Sequence, residues 1–154
     1  MPKKSSGLLM YRRGTAGLEF LLVHPGGPFW VKKDLGSWSI PKGEFGPDED
    51  ALAAAEREFE EETGLKPTGP FTQLAPVKQA GGKIVYAWAF EGDWDTATIK
   101  SNTFTMEWPP KSGKQQEFPE VDRAEWFVLD EARAKILQGQ VGILDEVNRL
   151  FSGE

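Results

Sequence analysis

GEFGPDEDALAAAEREFEEETGL, residues 43–65, is the stretch on which the reading of this chain turns. Its middle reads as a helix over residues 50–63: it is rich in alanine, Pro47 and Asp48 precede it, and Gly64 stands where a helix stops. With Glu58 set at 0° on a helical wheel, Glu62 falls at about 40° and Glu61 at about −60°, so three carboxylates share an arc of about 100°. Ala54 and Ala51 lie on the same face in earlier turns, where small side chains leave room for something to approach the acids. Leu52, Ala55 and Phe59 gather on the neighbouring arc and form the face to be buried. Like charges three and four residues apart destabilise a helix, and its C-terminal turn is where the dipole disfavours negative charge. A local rule broken without local compensation marks a place where function is expected. A hard divalent cation held by carboxylate oxygens would compensate, and Mg²⁺ commonly brings a phosphate-bearing substrate with it. A plain solvated acidic face has the same spacing, and spacing alone leaves both readings open.

Upstream, Ser6–Arg12 and Leu18–His24 read as strands joined by a turn at Gly14–Gly17. A loop dense in Pro, Gly and Trp follows, then a short apolar piece, Trp38–Ile40. Downstream, Phe71–Gln79 and Lys83–Phe90 flank Ala80-Gly81-Gly82 as a hairpin. Asn102–Trp108 and Glu125–Leu129 read as two further strands, separated by a polar Pro/Gly loop. Asp130–Leu137 and residues 141–151 read as short helices. The expected fold is α+β: a central mixed sheet, one central helix and C-terminal helices, in a single domain over residues 1–154.

Composition narrows the chemistry. The chain has no cysteine, which excludes disulfides, zinc–thiolate sites and thiol nucleophiles. Its one histidine, His24, has no nucleophile partner in the sequence and reads as a strand-end residue. Eighteen basic against 24 acidic residues give a net charge of −6, so stable nucleic-acid binding is not expected. No apolar run approaches the ~20 residues that span a bilayer, and the basic N-terminus lacks the apolar core of a signal peptide. A cytoplasmic protein without membrane attachment, monomeric or homodimeric, is expected.

The segment Gly43–Leu65 resembles the Nudix box, G-x5-E-x7-R-E-U-x-E-E-x-G-U, where U is apolar. Gly43, Glu49, Arg57, Glu58, Phe59, Glu61, Glu62, Gly64 and Leu65 fill every fixed position at the right spacing, with Phe59 where an aliphatic residue is usual. The resemblance implies a Nudix α/β/α sandwich whose box forms a catalytic loop–helix–loop. It also implies hydrolysis of a phosphoanhydride bond in a nucleoside diphosphate-linked substrate, with Mg²⁺, or alternatively Mn²⁺, as cofactor. Carried over, Glu58, Glu61 and Glu62 would be metal ligands together with the backbone carbonyl of Lys42, and Arg57 would pair with Glu49 to hold the loop on the helix. Gly43 and Gly64 would serve backbone geometry. Family members often use a further glutamate on a loop before a tryptophan-bearing strand; Glu120, six residues before Trp126, matches that placement, with Glu117 and Glu125 as competitors.

The chain's start and its Glu120–Leu129 segment look most like the diadenosine polyphosphate hydrolase branch, which makes a dinucleoside polyphosphate the leading substrate. Nucleoside triphosphates and ADP-ribose are the alternatives. ADP-ribose specificity often goes with a proline some fifteen residues after the box, where this chain has Ala80. A non-catalytic nucleotide-binding domain is a reading from another class, against which the complete set of box glutamates counts. The tyrosine that clamps adenine in that branch would fall at Ala87, leaving Tyr86 or Trp88 as substitutes. Trp30 and Trp38 are candidates for stacking on a base, and Lys42, Lys78 and Lys83 for contact with phosphate.

Overall fold

The structure, a computed structural model, describes residues 3–153; Met1, Pro2 and Glu154, at the ends of the expected domain, lie outside them. Two long strands, β1 (Lys4–Gly14) and β2 (Gly17–Pro25), form the opening hairpin, and each extends beyond the strand expected there. They pair only near their turn, from Tyr11↔Phe20 to Gly14↔Gly17. Beyond it the strands part, and the segment that follows the Trp-rich loop enters the gap. Ser39 bridges to Val23 of β2, and β3 (Lys42–Glu44) pairs with Ser5–Gly7 of β1. This divergence of β1 from β2 is where the site forms.

The expected helix is α1 (Ala51–Thr63), capped by Asp50, whose carboxylate accepts from the Ala53 N–H at 3.0 Å, and ended by Gly64 at φ 81°. The expected strand Phe71–Gln79 is instead two short pieces, β4 (Thr72–Gln73) and β5 (Val77–Lys78), interrupted at Leu74–Pro76, because Pro76 has no N–H to give to a continuous pairing. Both pair antiparallel with β6 (Ile84–Glu91), so the hairpin across Ala80–Gly82 is present. β6 runs parallel to β1 from Lys4↔Ile84 to Tyr11↔Glu91. β9 (Val121–Val128) closes the far side against β2 and starts before the expected Glu125. The sheet order is β4-β6-β1-β2-β9, with β3 on β1 and β5 on β6.

The polar segment read as a loop is in part a strand. β7 (Thr103–Glu107) and β8 (Gln115–Pro119) form a separate two-stranded arm held by Phe104 against Phe118, ring centroids 5.9 Å apart. β7 answers the strand expected at Asn102–Trp108, whereas the mostly exposed, polar pattern of β8 hid it, because a strand without a buried face shows no alternation.

Strand alternation sorts the core into two faces. Leu8 and Met10 of β1 join Leu21, Val23 and Phe90 under Ala55 and Phe59 of α1. Leu9 and Tyr11 join Phe20, Leu22 and Phe127 under the C-terminal helices α2 (Leu129–Lys135) and α3 (Val141–Phe151), through residues such as Ile143 and Leu144. This is the layered α/β/α arrangement with a mixed sheet. Among the described residues no helix is long and apolar enough to cross a membrane.

Candidate active site

α1 lies over β1 and β3 and turns Glu58 and Glu62 toward the gap between β1 and β2. Glu58 presses on Gly43: a Cβ at residue 43 would lie 2.1 Å from the Glu58 carboxyl carbon and 2.3 and 2.4 Å from its oxygens. Gly43 has no positive φ, so glycine is needed there for the space it leaves and not for backbone freedom. The role expected of Gly43 was one of backbone geometry, and the close approach of Glu58 corrects it. Gly64 has both reasons, its left-handed φ and the Lys100 carbonyl 2.9 Å from where a Cβ would sit.

Arg57 gathers the acids on the outer side of the helix. Its guanidinium donates to Glu49 at 3.0 Å, Glu58 at 3.1 Å and Glu61 at 3.3 Å. The expected Arg57–Glu49 pair is therefore formed, and the same arginine holds two of the box glutamates. Glu62 is buried, with the backbone N–H and the ammonium of Lys42 facing it. Ala54, read as leaving space on the acid face, is only 1% exposed, so at that level the face closes on the protein itself.

The charge in this cluster is under-compensated. Burial, then Glu58 and Glu120, hold the Glu62 carboxyl well above the ordinary glutamate range. Burial and Glu61 raise Glu58, and partial burial and Glu61 raise Glu120. Lys42 is pushed down by its own burial and by Lys83. Among the described residues no three His, Cys, Asp or Glu side chains already converge as a metal-binding group. The donor chemistry nevertheless suits a hard divalent cation: several carboxylate oxygens carry more negative charge than the neighbouring cations neutralise.

The sign of the resulting pH dependence follows from the raised values. Between the unfolded glutamate value of about 4.3 and the higher folded one, the native state binds more protons, so stability falls as pH rises through that window. In urea melts of metal-free protein, Glu62→Gln should match wild type below that window and become the more stable form as pH rises through it. Parallel curves from acid to neutral pH would show that Glu62 carries no excess charge energy.

A cavity of about 220 Å³ opens beside the acids, lined by Lys42, Glu62 and Glu120, by Ser37 and Ser39, by the apolar wall of Val23, Pro25, Ile40, Val121 and Leu137, and at its rim by Trp30. Glu120 thus joins the box glutamates across about sixty residues of sequence. Its competitors do not. Glu117 projects from the arm opposite Thr105, and Glu125 shares the far face of β9 with Phe127, where it pairs with Arg123 at 3.8 Å.

Several expected ligand contacts are corrected. Trp38 is only 1% exposed: its indole N–H donates to Asp34 at 2.8 Å and its ring packs edge-on to Phe127 and His24, so no base can stack on it. Trp30 is 38% exposed, with the Lys33 ammonium over its ring at 5.2 Å from the centroid. Tyr86 points to the α1 side of β6, edge-on to Phe45, away from the cavity lining, and Trp88 beside it is core. Lys83 pairs with Glu44 at 3.7 Å and sits near Lys42, whereas Lys78 is exposed on the edge strand β5. His24 is fully buried between the Asp122 carboxylate and the Lys33 carbonyl, pinning the Trp30 loop to β9. The apolar wall escapes a reading of the sequence because it comes from four separate segments, each residue of which reads as ordinary core.

The NUDIX domain family matches residues 1–147. The chain belongs to the Nudix family. Membership brings the enzyme class, a pyrophosphohydrolase acting on acid anhydrides of phosphorus, and the family's general use of divalent metal ions. Among solved structures the Nudix chain is similar to an Ap4A hydrolase of C. elegans in a binary complex (23% identity, 99% of each chain covered, TM-score 0.67). It is also similar to the NUDIX domain of Shewanella oneidensis NrtR complexed with ADP ribose (14% identity, 97% of this chain and 88% of that one, TM-score 0.67). A third is the MutT protein from Methanosarcina mazei Go1 (21% identity, 97% and 95% covered, TM-score 0.60). At these identities the likeness carries the fold. No curated protein sequence matches the chain.

Proposed function

We propose that residues 1–154 act as one cytoplasmic Nudix domain, monomeric or homodimeric, that hydrolyses a dinucleoside polyphosphate such as diadenosine tetraphosphate with Mg²⁺. The observation that carries this reading is the cavity in which Glu62, Glu120 and Lys42 meet an apolar wall and the partly exposed Trp30. One end of such a cavity suits phosphates and metal, and the other an aromatic base. The fold likeness to an Ap4A hydrolase over the full chain supports the same substrate class. The net charge of −6 argues for free nucleotides over nucleic acid as the natural ligand.

Bound Mg²⁺, or Mn²⁺, would neutralise the bridging phosphates and sharpen water as a nucleophile. Glu58, Glu61 and Glu62, with the Lys42 carbonyl, are the groups that would hold it. Arg57 holds Glu58 and Glu61 through their carboxylates, so these side chains would turn from the arginine toward the cation as it binds. Glu120, which lines the cavity and has a raised proton affinity, would accept the proton of the attacking water at its carboxylate. The Lys42 ammonium at the cavity, with Lys83 near it, would contact the phosphates, and Trp30 would stack on a base.

The test is a panel of dinucleoside polyphosphates, nucleoside triphosphates, nucleotide sugars and ADP-ribose with Mg²⁺, products separated by chromatography. Diadenosine tetraphosphate should give ATP and AMP, and excess chelator should abolish the reaction. ADP as the sole product, or intact diadenosine tetraphosphate beside rapid hydrolysis of another member, removes the substrate assignment. Turnover that persists in chelator removes the metal.

A further inference from the structure

Glu120 stands on a loop, yet its backbone is held on every side. The last carbonyls of α1 have no partner within the helix, and the segment Lys100–Asn102 supplies two: Lys100 N–H donates to the Thr63 carbonyl at 2.9 Å and Asn102 N–H to the Glu61 carbonyl at 2.8 Å. Asn102 then returns its own carbonyl to the Glu120 N–H at 2.8 Å. The Ser101 hydroxyl completes the clamp, donating to that Asn102 carbonyl at 2.8 Å and accepting from the Val121 N–H at 3.0 Å. On the other side Gly26 N–H donates to the Glu120 carbonyl at 2.9 Å. That bond needs glycine, because a Cβ on residue 26 would lie 2.0 Å from the Pro119 carbonyl oxygen.

We propose that Ser101 and Gly26 are positioning residues for the reaction: together they set the Glu120 carboxylate at a constant distance from the helix that carries Glu58 and Glu62. The inference rests on the role given above to Glu120. A carboxylate that takes a proton from water must sit within hydrogen-bond reach of it, and a loop free to move by an ångström forfeits most of that advantage. The same three residues of chain, 100–102, cap the glutamate helix and grip the Glu120 loop. One element therefore registers the two halves of the acid cluster.

The experiment is a set of double-mutant cycles on the full chain, read as kcat and KM at saturating Mg²⁺. Diadenosine tetraphosphate is the probe, or the panel member that turns over in its place. Glu120→Gln should lower kcat on the order of a hundredfold. Ser101→Ala should lower it about tenfold and Gly26→Ala about a hundredfold, each with KM within about twofold. Ser101→Thr, which keeps the hydroxyl, should restore most of the loss. In the Glu120→Gln background neither Ser101→Ala nor Gly26→Ala should lower kcat further, since nothing remains to be positioned. Losses that multiply in that background, or wild-type kcat in Ser101→Ala, overturn the positioning role and leave Glu120 in place. Wild-type kcat in Glu120→Gln overturns the role of Glu120 and this inference with it. Should Gly26→Ala fail to fold, the serine pair decides alone.

Discussion

Glu62→Gln is expected to lower kcat/KM by about three orders of magnitude while raising the melting temperature of the metal-free protein by about 2–4 °C. The two changes have one cause. Glu62 is buried, faces Glu58 and Glu120, and lies in the last turn of α1, where the helix dipole opposes its charge. Without a cation that charge has too few partners, and the neutral amide removes the conflict while keeping the shape. Under the proposed metal role the same oxygens would hold the cation, so the variant would bind less of the ion that neutralises the phosphates. Kinetics at saturating Mg²⁺, paired with melts in chelator, measure both. Full turnover would take Glu62 out of the site, and joint loss of activity and several degrees of stability would make its role structural.

Gly43→Ala should cost turnover by on the order of a hundredfold and leave the fold within about 2 °C of wild type. The added methyl would fall on the Glu58 carboxylate, not on backbone. A carboxylate at the end of a flexible side chain can swing aside, so the clash is relieved at small energetic expense. Relief means that Glu58 leaves its place beside Arg57, and the acid cluster loses a member. Calorimetric metal titration should show weakened Mn²⁺ binding in parallel. Unchanged Mn²⁺ affinity and kcat would mean that Glu58 acts elsewhere; a large drop in melting temperature would mean that the backbone, not the side chain, yields.

These two residues also mark how far the sequence can be read. The glutamates, Arg57 and both glycines share one helix and its flanks, where spacing converts directly into geometry, so the acid cluster and its arginine are legible in the order of residues alone. The α/β/α layering is legible for the same reason: β1, β2 and β6 carry apolar residues in runs that two helical layers must cover. What stays hidden depends on distant partners. Trp38 looks identical to Trp30 in composition and neighbourhood, yet Asp34, Phe127 and His24 bury one and not the other. β8, almost wholly exposed, has no buried face to give it a period. Ser101 has no signal at all, since its importance lies in hydrogen bonds to the backbone of residues 102 and 121.

The pairing of β1 also fixes when the enzyme can come into being. The strand that leaves the ribosome early, Lys4–Gly14, waits for its parallel neighbour until residue 91 has been made, and β2 waits for β9 until residue 128. The box glutamates are therefore synthesised well before the sheet beneath them can close. Glu120 arrives with the last strand. During translation the nascent chain passes through a stage that holds the acidic segment and an unpaired hairpin edge but no complete site. Folding and acquisition of activity are then one late event, tied to long-range closure and slow by the standards of locally wired domains.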